Sequence, residues 1–354
     1  MAVANLVSLS IITLVDSSVE NSTGFVEKEF HRIVSRKMMG KRLDLYITTS
    51  GVSVSRSMVA KLIKSGKITV NGKAVKPSFK LAEGDKVDAV FTVPDREIAL
   101  QPEEIALDIV YEDDDIILIN KQPNMVVHPA RGHLKGTLVN ALLAHCKDLP
   151  RGEHGEVRPG VVHRLDKDTT GLILFAKSYE ALVNLTRQTS ARTMYKEYAA
   201  LAWGKFELTE GKIAAPIGRS TLDRRRMTVT PISSREAATR FLLKRVYAGC
   251  VSYLRLWLVT GRTHQIRVHL RHYGHPVIGD YEYQGRQEIH PASANEAEVL
   301  DGCLKRISRQ ALHAKALGFK HPATGRQMRF ELELPNDMQS IVDFLEEYER
   351  SHNC

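Results

Sequence analysis

Apolar residues fall along this chain in short blocks whose spacing alternates between helical and extended periods. In the first block Arg42-Leu43-Asp44-Leu45-Tyr46-Ile47 starts a helical pattern, with Leu43 and Ile47 on one face. Ser55 is placed to cap a second helix over 56–64, which stops before Gly66. Ile68-Thr69-Val70 and Lys73-Ala74-Val75 then flank Asn71-Gly72, a pair that suits a two-residue hairpin turn because both positions need positive φ. A strand over 86–93 completes a small module at 38–93. Residues 1–37 read as a disordered extension and 94–102, with a proline at each end, as a linker.

The remainder, 103–350, has a different rhythm. Two short strands are expected within 105–120 around a turn at 112–115, and further strands over 171–176, 197–203, 237–246, 253–259 and 327–333. Helical patterns cover 137–147, 179–191 and 263–272, and a closing helix spans 337–349. Strands arriving with few strand–helix–strand alternations predict an α+β fold. Its larger part is a large mixed, mainly antiparallel sheet with peripheral helices.

Charge sharpens this division. The chain of 354 residues carries a net charge of +9, but residues 31–80 hold 12 Lys and Arg against one acid, Asp44. Residues 101–120 hold seven acids and no Lys or Arg. A one-sided basic module points to a polyanion, with Arg42, Arg56, Lys61, Lys64 and Lys73 as its candidate RNA contacts. The four cysteines are scattered without metal-type spacing, so neither a disulfide framework nor a zinc site is expected, and a cytoplasmic location follows. No apolar run is long enough for a membrane span. Residues 2–15 are apolar but lack the basic leading region of a secretory signal.

Three motifs carry chemistry. The turn His163-Arg164-Leu165-Asp166-Lys167-Asp168 runs directly into an apolar strand, so a carboxylate at Asp166 would stand on rigid backbone. Such a group can act as nucleophile, base or electrostatic stabiliser if a cation keeps it ionised, and that cation must come from elsewhere in the chain. Alone, the turn reads as a surface loop with self-satisfied charges. The segment from Thr260 to His269 turns at Gly261 into a helix that Thr263 could cap, with Arg267 on the same face as Thr263. Alone, it reads as an amphipathic helix with Ile266 and Leu270 in the core and its arginines in solvent. Tyr195 and Tyr198 lie on opposite faces of one strand, so one of them can point into a site and stack on a base. Basic runs at Arg219, Arg224, Arg225, Arg226 and at Lys305, Arg306, Arg309 read as solvated faces or phosphate contacts.

Together, His163-Arg164-Leu165-Asp166-x-x-Thr169-Thr170-Gly171, Lys196-x-Tyr198-x-Ala200 and Gly261-Arg262-Thr263-His264-Gln265-Ile266-Arg267-Val268-His269 resemble the ordered signatures of RluA-type pseudouridine synthases. Tyr111-Glu112-Asp113-Asp114, Asn120-Lys121, Val126-Val127-His128-Pro129 and Asp280-x-x-Tyr283 extend the resemblance, although Gln284 separates Tyr283 from Gly285 where the pattern has them adjacent. Residues 40–93 resemble the RNA-binding module named after ribosomal protein S-four. The resemblance implies that Asp166 attacks a flipped-out uridine at its anomeric carbon or triggers glycal formation there, that Arg267 keeps it ionised, that Tyr198 stacks on the base and could assist the final proton removal, and that Arg164 manages the RNA. Arg224, Arg225 and Arg262 would contact the backbone. It further implies a monomer with no cofactor and no metal, acting on large-subunit ribosomal RNA or an assembling subunit. A tRNA substrate, or a non-catalytic role in RNA binding or ribosome assembly, stands as the alternative.

Overall fold

The computed structural model describes residues 25–50, 56–94, 101–129, 133, 135–150, 158–224, 226–286 and 290–352. The chain divides into two compact units between Ala99 and Leu100.

The first unit is built on a three-stranded sheet of β1 (Phe25–Ile33), β2 (Ile68–Val70) and β3 (Lys86–Pro94), ordered β1-β3-β2. Two helices, α1 (Leu43–Thr48) and α2 (Arg56–Lys64), pack their apolar residues against it, burying Leu43, Ile47, Val59 and Ile63 with Ile68, Val87 and Phe91. The disordered extension expected over 1–37 is corrected for residues 25–37, and residues 1–24 lie outside the described residues. Residues 25–33 pair with β3 along its whole length, and a 3-10 turn follows at Arg36–Met38. The Asn71-Gly72 turn forms, with φ of 52° and 73°, and Val70 and Lys73 exchange two backbone hydrogen bonds of 3.0 Å each. Beyond that bridge the second arm does not become a strand: β2 pairs with β3 instead. The Asn71 side chain ties the turn to that strand by accepting from the Lys86 N–H at 2.8 Å. Ser55, expected as the cap of α2, lies outside the described residues.

The second unit is organised on one sheet with the path β4-β5-β6-β13-β7-β12-β11-β8. Its strands are β4 (Ile109–Glu112), β5 (Ile116–Lys121), β6 (Thr170–Ala176), β7 (Tyr195–Trp203), β8 (Glu210–Ala214), β11 (Ala238–Tyr247), β12 (Val251–Leu258) and β13 (Leu312–Lys320). A short hairpin of β9 (Ile217–Arg219) and β10 (Met227–Val229) stands apart from it. Its helices are α3 (Leu138–His145), α4 (Tyr179–Ser190), α5 (Gln265–His272), α6 (Ala294–Arg306) and α7 (Asn336–His352). β14 (Gln327–Glu331) pairs with the end of β13, beyond the short parallel contact of β13 with β6 at His313 and Ala314. Every other pairing in the sheet is antiparallel.

The unbroken apolar runs of β5 and β6 follow from burial on both faces. Ile117, Ile119, Ile173 and Phe175 enter one core with α3 and α7, while Ile116, Leu118, Leu172 and Leu174 enter a second with α4. This doubly covered pair of strands gives the turn at 163–169 its stiff base. The turn is fixed further where β6 begins. Gly171 has φ of 107° and a Cβ there would stand 2.3 Å from the Ala314 carbonyl oxygen, so no other residue fits.

Candidate active site

Asp166 sits in the turn that enters β6, with its carbonyl accepting from the Thr169 N–H at 3.1 Å. The turn is bound from several sides. Asp168 accepts from the Asn124 N–H at 3.0 Å, and Arg309 donates to the Asp168 carbonyl at 3.2 Å. Lys121, 1% exposed, ends β5 and donates to the carbonyls of Gln122, Met125 and Lys167 at 2.8, 3.0 and 2.8 Å. Burial pushes its amine down to about 7, against the pull of the Asp168 and Asp166 carboxylates. His163 faces away from solvent chemistry: its Nε2 accepts from the Leu174 N–H at 3.1 Å, and burial drives its pKa well down, so it is neutral and structural.

The distant cation is Arg267, on α5. Only 5% exposed, it is not the solvent-facing arginine that an amphipathic reading of the helix allows. Its Nη1 lies 3.3 Å from Asp166 Oδ2. Its shorter bonds go to Asp280, at 2.6 Å from Nε and 2.8 Å from Nη2, and to Glu282 at 2.7 Å. Its guanidinium also lies over the Tyr283 ring, 4.8 Å from the centroid. Burial disfavours the charge, but the three carboxylates outweigh it and raise the pKa above its ordinary value. Arg267 is therefore a fixed cation, anchored by Asp280 and presented to Asp166.

The helix that carries Arg267 is secured by its own polar residues. Gln265 accepts from the Thr260 hydroxyl at 2.7 Å and the Arg262 N–H at 3.0 Å, and donates to the Ala238 carbonyl at 2.9 Å. His269 bonds Thr239 and the Ala215 carbonyl. The N-cap is His264, not Thr263: His264 adopts φ of 55° in the left-handed region, without a side-chain capping bond.

Tyr198 projects from β7 into the same place and is buried. It lines a small cavity of about 60 Å³ with Arg164, Asp166, Arg262, His264 and Arg267. Burial and the nearby Asp166 charge raise its pKa, so the phenol stays neutral. Tyr195, on the opposite face, is committed elsewhere, bonding Glu197 and Trp257.

Five of the candidate residues from the sequence thus meet around one cavity: Arg164, Asp166, Tyr198, Arg262 and Arg267. Arg164 is exposed at its rim, and Arg262 donates to the Glu236 carbonyl at 3.1 Å. Arg224 is exposed in the loop between β9 and β10, and Arg225 lies outside the described residues. Arg309, grouped with a solvated helix face in the sequence, is buried and pairs with Asp337 at 2.7 and 2.8 Å. In the first unit the lone acid, Asp44, is buried and accepts from Arg42 at two atoms and from Arg56 at 2.9 Å. Its pKa is lowered chiefly by the bond from Arg42. These two arginines are therefore oriented by Asp44, whereas Lys61, Lys64 and Lys73 stand exposed.

Lys121, His264, Asp280 and Glu282 were absent from the site as read from sequence. Asp280 was visible as a motif position, but its role requires the fold to bring its turn to α5. Gln284 takes φ of 62° in that turn. The turn still closes, with Gly285 donating to the Asp280 carbonyl at 2.8 Å and accepting from Trp203 Nε1 at 2.8 Å. Among the described residues, two side-chain groups have metal-like composition, Glu112–His145–Cys146 and Asp113–Asp115–His321. In the second, both Asp113 oxygens are already engaged by Tyr111, His321 and backbone N–H groups.

The RNA pseudouridylate synthase family pattern matches residues 115–272, and the S4 domain pattern matches residues 41–87. An uncharacterized RNA pseudouridine synthase of Bacillus subtilis, YlyB, is 41% identical over 312 residues, covering 88% of this chain and 96% of its own. Ribosomal large subunit pseudouridine synthase D of Vibrio vulnificus is 40% identical over 326 residues, covering 92% and 97%. In three dimensions the human protein RNA pseudouridylate synthase domain containing 4 aligns with a TM-score of 0.51 at 22% identity, over 67% of this chain and 92% of that one, a likeness of fold.

Proposed function

The chain belongs to the RNA pseudouridine synthases, and from that premise we propose that it isomerises uridines of large-subunit ribosomal RNA with Asp166 as the reacting group. The observation that carries this reading is the Asp166 carboxylate, held 3.3 Å from a buried Arg267 inside a cavity walled by Tyr198. In the reaction the N1–C1′ bond of uridine breaks, the uracil turns, and a C5–C1′ bond forms. N1 gains a proton and C5 loses one. A base stacked in a helix cannot turn over, so the nucleotide must leave the stack. Asp166 either adds to C1′ or removes the neighbouring sugar proton. Both require an ionised carboxylate of fixed direction, which Arg267 supports by holding one of its oxygens.

Tyr198 fits the flipped base as a stacking wall. Its raised pKa argues against a phenolate at neutral pH, so the stacking role is favoured over that of base for the C5 proton. Arg164, exposed at the rim, is suited to hold the RNA open behind the extruded nucleotide. The basic first unit supplies sequence-independent phosphate affinity. The Vibrio relative, named for the large ribosomal subunit and matching 92% of the chain, supports ribosomal RNA as substrate.

The test is to incubate the protein separately with large-subunit ribosomal RNA and with bulk tRNA, and to map pseudouridine at nucleotide resolution. Modification of discrete positions in the ribosomal RNA is expected. Modification of tRNA alone would reassign the substrate, and no product on either RNA would overturn the reading.

A further inference from the structure

The second oxygen of Asp166 has its own neighbour. His264 Nε2 lies 3.9 Å from Oδ1, the oxygen that Arg267 does not bond. The Tyr283 hydroxyl accepts from the Met227 N–H at 3.1 Å and lies 2.8 Å from His264 Nδ1, so its own hydrogen is free to be donated to that nitrogen. In that tautomer the ring hydrogen sits on Nε2, facing Asp166. The other charged group near the ring, Glu282, lies 3.6 Å from Nδ1 and is already bonded to Arg267 at 2.7 Å.

The backbone supplies an independent observation. His264 holds φ of 55° and ψ of 23° at the start of α5 and makes no capping bond there. Non-glycine residues are uncommon in this region, with histidine among the more tolerated ones, and no side-chain cap accounts for a histidine at this position. The conformation turns the imidazole into the cavity, between Tyr283 and Asp166.

From this geometry we infer that His264 is a positioning residue for the isomerisation, holding Asp166 Oδ1 through Nε2–H while Arg267 holds Oδ2. The inference rests on Asp166 being the reacting group. With both oxygens held, the carboxylate cannot rotate about its Cβ–Cγ bond, and its free lone pairs point into the cavity. At 3.9 Å the pair is within ion-pair range, and a shift of about 1 Å brings it to hydrogen-bond distance.

Three variants separate this role from a structural one. His264→Asn suits the left-handed backbone and its carbonyl can still accept from Tyr283, but it cannot reach Asp166. His264→Gln extends an amide donor further. Asp166→Asn reports on the underlying reading. Tritium release from C5 is measured at steady state on ribosomal RNA. For His264→Asn, kcat is expected to fall about ten-fold or more with KM within about two-fold, the loss of one charge-assisted hydrogen bond to a reacting group. His264→Gln is expected to recover part of kcat. Wild-type kcat in His264→Asn, or equal losses in both variants, overturns the inference. Should His264→Asn fail to fold, His264→Gly, which suits the left-handed backbone, takes its place with the same expected loss of about ten-fold or more in kcat, and wild-type kcat in it overturns the inference. If Asp166→Asn stays active, it is the reading of Asp166 that fails.

Discussion

Asp280 is the residue on which the electrostatics of the site depend, and its removal is the most informative stability experiment. Its carboxylate is wholly buried, binds Arg267 at 2.6 and 2.8 Å, and accepts from the Glu282 and Tyr283 N–H groups at 2.9 and 3.1 Å. Asp280→Ala leaves a buried guanidinium with only Asp166 and the half-exposed Glu282 as partners. Removing one member of a buried ion pair costs about 3–5 kcal/mol. The two orphaned N–H groups add to this, offset in part by water entering the space left behind. A net loss of about 4 kcal/mol corresponds to a fall in Tm of roughly 10 °C for a domain of this size. Calorimetry of the full chain, following the transition of the larger unit, measures it. Asp280→Asn keeps the shape and the turn contacts, so its effect isolates Arg267. It should lose about 2 kcal/mol or more and lower kcat, because Arg267 is no longer aimed. The double variant Asp280→Ala with Arg267→Met should be more stable than the sum of its two single losses, since the uncompensated charge is gone. Wild-type kcat and a loss under about 1 kcal/mol in Asp280→Asn would refute the idea that Asp280 sets the position of Arg267.

Two further outcomes follow from other parts of the molecule. The Lys121 amine titrates near 7 when folded against 10.5 for a free lysine, so between those values the unfolded chain binds more protons and stability rises with pH. From pH 7 to 9 this contributes about 2 kcal/mol, and Lys121→Met should abolish that rise. Equal pH dependence in urea unfolding of both proteins would contradict it. Replacing Lys61, Lys64 and Lys73 together with Gln should lower RNA affinity and reduce the slope of log K against log salt by up to about 3. An unchanged slope would place RNA contact elsewhere.

Much of this site can be read in the chain because its motifs carry local constraints. The turn at 163–169 stands out as charge set against an apolar strand, and β5 and β6 announce double burial by their unbroken apolar runs. Partner choice is less visible. Arg267 meets Asp166 across 101 positions, and periodicity says nothing of such a pairing. The same limit hid His264 and Lys121, whose roles depend on hydroxyl and carbonyl groups brought in by the fold. β13 escaped notice because His313, Lys315 and Gly318 interrupt its apolar pattern, although the strand lies mid-sheet. His313 is accommodated by a bond to Thr170, and burial pushes its pKa down to about 3, so it stays neutral. By contrast α6 left a usable sign: Ser293 caps its start, its side chain accepting from the Glu296 N–H at 3.1 Å, while the Glu296 carboxylate accepts from the Ala292 N–H at 2.7 Å. Residues 25–33 show no sign of order in sequence, since a single polar edge strand such as β1 gains its order from β3, not from its own residues.

The central claim is that the Asp166 carboxylate performs the chemistry while the rest of the chain binds and opens the RNA. Single-turnover tritium release from C5, measured beside RNA affinity in the same preparation, tests it with Asp166→Ala. Binding within a few-fold of wild type and no detectable release is the expected result. Release at a rate near that of the wild type would contradict the account, because no other group in the cavity would then have been assigned the reacting role.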